Sequence, residues 1–179
     1  MTSSAVQISQ FGRAVGPGDL YFRSPLSVAY DVTSGRIFAA DADGACVKVF
    51  DARASFVTEF GAGDVSETGN GNRSAAMLDR PVGVSCDSLG NAIVCDVGAQ
   101  RVVLYSRDGR YLCPLINFRS GSAAQSKWQR RPDSDSTLLP VCVGLSTPGN
   151  RIAVGLDSGR GEKSRRFRKV VVYNVTPEL

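Results

Sequence analysis

Short apolar runs alternate with short polar breaks along almost the whole chain. The runs are rich in β-branched and aromatic residues, and Gly, Asp, Asn and Ser separate them. That is the pattern of strands joined by tight turns. No window carries the 3.6-residue apolar stripe of an amphipathic helix. Three segments can be laid over one another. The first reads Pro25-Leu-Ser-Val-Ala-Tyr-Asp31, Gly35-Arg-Ile-Phe-Ala-Ala-Asp41, Val47-Lys-Val-Phe-Asp51 and Phe56-Val-Thr-Glu-Phe-Gly61. The second reads Pro81-Val-Gly-Val-Ser-Cys-Asp87, Gly90-Asn-Ala-Ile-Val-Cys-Asp96, Arg101-Val-Val-Leu-Tyr105 and Asp108-Gly-Arg-Tyr-Leu-Cys-Pro-Leu115. The third reads Pro140-Val-Cys-Val-Gly-Leu145, Gly149-Asn-Arg-Ile-Ala-Val-Gly-Leu-Asp157 and Lys169-Val-Val-Val-Tyr173. The pattern predicts an all-β fold of repeated sheets. Two polar stretches, Ala62 to Ala76 and Asn117 to Thr137, lengthen the repeat beyond the roughly 40–45 residues of a bare four-stranded unit.

These motifs resemble NHL repeats. The resemblance lies in Pro81-Val-Gly-Val, Asp87, Asp96-Val-Gly-Ala-Gln-Arg101-Val and Asp108-Gly, which follow that family's pattern closely. The first unit follows it with Ser27 in place of the usual Gly. The third departs most, lacking an Asp at the end of its first strand and carrying a basic insertion. The resemblance implies a β-propeller with four-stranded blades, the strands running a to d from the axis outward. The domain then divides as a closing strand in residues 1–12, repeats at 22–61 and 78–116, a loop insertion at 117–138, and a third repeat at 139–176. Val6 to Phe11 is expected to be a lone d strand, because Gln10-Phe-Gly12 echoes Glu59-Phe-Gly61. Three blades cannot close a ring, since propellers use about 4–8. The expected solution is a homodimer, a six-bladed ring in which each Val6–Phe11 strand completes its partner's third blade. An arc finished by another chain, or by a longer chain, is the alternative.

Composition narrows the chemistry. At 179 residues the chain fits one domain, and no run approaches the roughly 18 apolar residues of a membrane-spanning helix. No membrane partner is expected. Residues 1–18 have no apolar core of a secretory signal. They lack acids and are rich in Ser, which leaves a mitochondrial leader as the alternative to the strand reading. Five cysteines, at 46, 86, 95, 113 and 142, show no paired spacing and sit mostly in apolar runs. They read as reduced thiols of a cytoplasmic protein. The net charge of +4 is uneven. Residues 1–118 hold 10 basic and 12 acidic residues, whereas residues 119–179 hold 11 and 5.

The sequence has no histidine, which removes the common general base and the common zinc ligand. Histidine-bound metal, as in amidating lyases that some NHL-like propellers resemble, cannot operate here. The starts of the inner strands carry no acid that would hold a channel cation, and the four glutamates (59, 67, 162, 178) lie elsewhere. Asp41, Asp96 and Asp157 each close a b strand. They read as acceptors for turn amides rather than as calcium ligands. Gly161-Glu-Lys-Ser164 breaks the order of a phosphate loop. No catalytic residue, metal or cofactor is expected.

Binding is the remaining chemistry. Alternating strand directions bring the b–c turns and d-to-a connections out at one end of the blades. Two basic segments belong there: one with Lys127, Trp128, Arg130 and Arg131, the other with Arg160, Lys163, Arg165, Arg166, Phe167, Arg168 and Lys169. The first expectation is a protein-interaction scaffold that binds through this loop rim, with an acidic protein surface or tail among the partners it suits. The alternative is single-stranded RNA, with cations on phosphates and with Trp128, Phe167 and Phe118 stacking on bases. The family resemblance adds weight to RNA, because several NHL propellers use this end for it.

Overall fold

The computed structural model describes residues 20–63, 74–118, 139–145, 151–157 and 168–174; for Arg168 and Lys169 this extends to strand pairing only. The expected closing strand, Val6–Phe11, lies outside them. Eleven strands are described: β1 (Pro25–Tyr30), β2 (Ile37–Asp41), β3 (Cys46–Phe50), β4 (Phe56–Phe60), β5 (Pro81–Cys86), β6 (Ala92–Asp96), β7 (Arg101–Tyr105), β8 (Tyr111–Asn117), β9 (Leu139–Leu145), β10 (Arg151–Asp157) and β11 (Arg168–Asn174). They form three antiparallel sheets in simple sequential order: β1 to β4, β5 to β8, and β9 to β11. Each strand coincides with one of the runs that sequence alone marks out.

The turns explain the sharp strand ends. Asp31 and Asp87 close the first strands and accept amides two residues on, from Thr33 at 3.0 Å and Leu89 at 2.9 Å. Both chains then reverse through a left-handed glycine, Gly35 and Gly90. The β3–β4 turn needs the same conformation, and there the first sheet uses Ala54 where the second uses Gly109.

The sheets stack face to face. One core joins Phe38, Ala40, Val47, Val49 and Phe60 of sheet 1 to Val84, Val94, Val103 and Tyr105 of sheet 2, with Leu78 at its edge. A second joins Ile93, Cys95, Val102 and Ile116 of sheet 2 to Ile152, Val154 and Leu156 of sheet 3. Successive residues of β6 therefore serve opposite cores, which is why Ala92–Asp96 is buried throughout. The first strands form the inner layer, with β1 packed beside β5 and β5 beside β9. The Val84 amide donates to Ser27 Oγ across the first junction, at 3.1 Å. At the second, a Cβ on Gly83 would stand 3.2 Å from the Cys142 Cα, a tight contact with backbone that Gly avoids.

One register differs from the sequence overlay. Pro25 lies opposite Asp41 and Pro81 opposite Asp96, but Pro140 lies opposite Leu156, with Asp157 opposite Leu139. Asp157 is thus one place out of line with the other two. Burial sets this register: holding Asp157 level with Asp96 would turn Ile152, Val154 and Leu156 away from the core.

Candidate binding rim

The N-terminal ends of β1, β5 and β9 and the C-terminal ends of β2, β6 and β10 lie at the same end of the sheets, because each pair is antiparallel. Buried aspartates organise this end. Asp41 accepts the amides of Arg23 (3.0 Å) and Ser24 (2.6 Å), which precede β1. Asp96 accepts those of Asp79 (3.0 Å) and Arg80 (2.9 Å), which precede β5. The expected turn-amide role is therefore met by a distant segment, since the donors lie 16 to 18 residues upstream. Each aspartate fixes the strand that starts beside it.

The second sheet adds a cation. Arg101 Nε lies 3.2 Å from Asp96 Oδ2, and its terminal nitrogens donate to the carbonyls of Ala75 and Met77. The Tyr105 hydroxyl donates to the Ala76 carbonyl at 2.6 Å. Burial pushes the Tyr105 phenol far above its ordinary range, which keeps it a donor. Together these side chains hold the three-residue strip at the end of the first long insertion. Beside it a cleft of about 350 Å³ opens between sheets 1 and 2, lined by Glu59, Phe60, Gly61, Met77, Tyr105 and Gly109 among others. The Arg101 motif was legible in the sequence; its grip on residues 75–77 was not, because those carbonyls belong to a stretch without periodicity.

The third sheet anchors both basic segments. β8 ends at Asn117, and the Phe118 amide donates to the Gln100 carbonyl, at this same end. Leu139 pairs with Asp157, and Asp157 pairs with Arg168. The far end of the 119–138 segment and both ends of the 158–167 segment therefore sit on three adjacent strands. Arg168 and Lys169 begin β11, where Lys169 pairs with Leu156. Lys127, Trp128, Arg130, Arg131, Arg160, Lys163, Arg165, Arg166 and Phe167 lie outside the described residues.

Phe118 corrects the sequence reading. It is buried with Val102 and Ile116 in the core between sheets 2 and 3, not presented on the rim. Alternation along β8 aims it inward, so it cannot stack on a base. Among the described residues, no helix is long and apolar enough to cross a membrane.

The chain is similar to hydrazine synthase of Kuenenia stuttgartiensis, a β-propeller-containing enzyme, with 13% identity and a TM-score of 0.51 over 86% of this chain and 35% of that one. It also aligns with a luciferin-regenerating enzyme, at 13% identity and a TM-score of 0.48, over 76% of this chain and 38% of that one. The chain thus spans little more than a third of either. No family model and no curated protein matches it. At such identity the likeness is one of fold, and the class it defines is a propeller-like all-β protein built of blade-shaped sheets.

Proposed function

We propose that this chain is a non-catalytic, cytoplasmic protein-interaction scaffold of NHL-type blades that takes an acidic protein surface on the rim of its third blade. One observation carries the reading: the Leu139–Asp157–Arg168 register gathers the attachments of both basic segments at one edge. The reading has the cations of both segments gather over that edge, where a concentrated positive field would favour an acidic partner in both encounter rate and orientation. NHL type rests on the Pro81-Val-Gly-Val and Asp96–Arg101 motifs, and the Asp96 side chain accepts both the Arg80 amide, just before β5, and Arg101 Nε, at the start of β7. The test is fluorescence anisotropy with a labelled oligoglutamate at about 50 mM salt, where electrostatic attraction is strong. The double variant R165E/R166E is expected to weaken binding at least about tenfold, or ~1.4 kcal/mol. Unchanged affinity would remove these residues from the site.

Single-stranded RNA is the second reading, favoured by Trp128 and Phe167 within the same segments. It is the weaker one, because the core keeps Phe118. An oligouridylate that binds, and loses about 1–3 kcal/mol on Trp128→Ala, would put RNA first.

A further inference from the structure

Sheets 2 and 3 place a tyrosine at the same ladder position. Tyr105 pairs with Ala92 and Tyr173 with Ile152, and each lies four residues beyond a basic residue, Arg101 or Lys169. Each packs toward the preceding sheet. Tyr105 belongs to the core between sheets 1 and 2, and Tyr173 packs against the core between sheets 2 and 3.

The two hydroxyls differ in what they meet. The Tyr105 hydroxyl donates to the Ala76 carbonyl at 2.6 Å, in the strip that Arg101 also holds. The Tyr173 hydroxyl is buried as well, but no hydrogen-bond partner meets it among the described residues. Burial raises the Tyr173 phenol above its ordinary range, so it stays a donor at neutral pH. A buried donor without an acceptor costs stability, and an acceptor that arrives on binding recovers that cost. The rungs toward the rim differ too. Arg101 stands opposite Asp96, whereas Lys169 stands opposite Leu156. Asp157 lies one rung further out, opposite Arg168.

We propose that the junction of sheets 2 and 3 takes an acidic peptide segment of a protein partner, and that one backbone carbonyl of the segment accepts the Tyr173 hydroxyl. The first junction already shows this arrangement within the chain, where the Ala76 carbonyl serves Tyr105. The acidity follows from the setting. Lys169 has an apolar residue across its ladder, and residues 119–179 hold 11 basic residues against 5 acidic ones. Acidic side chains on the segment suit that field, and its backbone supplies the acceptor. The proposal rests on the acidic-partner reading of the rim and adds a point of contact that charge alone does not provide.

The test is fluorescence anisotropy of labelled oligoglutamate with the full chain at about 50 mM salt, beside urea unfolding of the same variants. Tyr173→Phe is expected to weaken binding about tenfold. Its urea midpoint is expected to stay level or rise, because an unsatisfied hydroxyl has gone. Tyr105→Phe lowers the midpoint, because it loses a made hydrogen bond. Tyr30→Phe removes a hydroxyl from an exposed ring at the end of β1 away from the rim, and keeps the affinity of the unaltered protein. Unchanged affinity in Tyr173→Phe, with R165E/R166E still weakening the complex, overturns this proposal and leaves the rim in place. Unchanged affinity in both removes both. A midpoint that falls as far in Tyr173→Phe as in Tyr105→Phe shows the hydroxyl already satisfied within the chain, and overturns the proposal as well. So does an oligouridylate that loses affinity on Tyr173→Phe while oligoglutamate does not, since the donor then serves a nucleic acid.

Discussion

At the scale of single residues, buried carboxylates tie the strand ends together. Asp96 is fully buried and serves two amides and Arg101. Asp96→Ala would take the carboxylate from the Arg101 guanidinium and the acceptor from both amides, and is expected to cost about 3–5 kcal/mol in urea unfolding. Asp51 accepts the amides of Arg53 and Ser55 in an exposed turn, so Asp51→Ala is expected to cost only about 0.5–1.5 kcal/mol. Asp31 carries a pH signature. Burial raises its pKa, but the Ser34 hydroxyl, the Thr33 and Ser34 amides and the Arg107 charge outweigh that and leave it below the ordinary value. A depressed native pKa stabilises the fold above the unfolded pKa, and that contribution is lost as pH falls through the native one. Asp31→Asn is therefore expected to flatten the loss of stability below about pH 4. A variant whose acid unfolding superimposes on that of the unaltered protein would contradict the assignment. The thiols need no such device: burial raises Cys46 to about 11 and Cys86 to about 12, so neither is a thiolate at neutral pH.

At the scale of elements, the strand pairs carry the differences between otherwise similar sheets. Lys48 sits on β3 opposite Ala39, the place that Val103 takes opposite Val94. Its buried ammonium meets Glu59 at 2.8 Å across the ladder and stands 5.8 Å from the Phe56 ring. Glu59 is half exposed, so the two partners are not equivalent. Lys48→Val is expected to be neutral or stabilising by up to about 1 kcal/mol, since Glu59 then keeps its water. Glu59→Ala is expected to cost about 1–3 kcal/mol, because it strands a buried charge. Equal losses from the two would contradict this asymmetry. The same comparison shows what was legible in advance. Alternation and turn residues marked all eleven strands, because each sheet repeats one local code. The Asp157 register was hidden, because an Asp at a strand end looks alike whether or not it faces Pro. Phe118 was misread for a related reason: it adjoins a basic segment in sequence but completes the inward alternation of β8.

At the scale of the whole molecule, the rim is the feature that bears on function. The rim's attachments follow from strand register, and the chemistry it offers follows from the 11 basic and 5 acidic residues of 119–179.

The most direct test of the rim uses the chain's single tryptophan, Trp128, as its own reporter. Its emission would be followed as unlabelled oligoglutamate is added at about 50 mM salt, then as salt is raised. The account predicts a saturable change in emission that salt reverses. Emission that stays constant at saturating oligoglutamate would contradict it, and would move the binding surface away from the third blade.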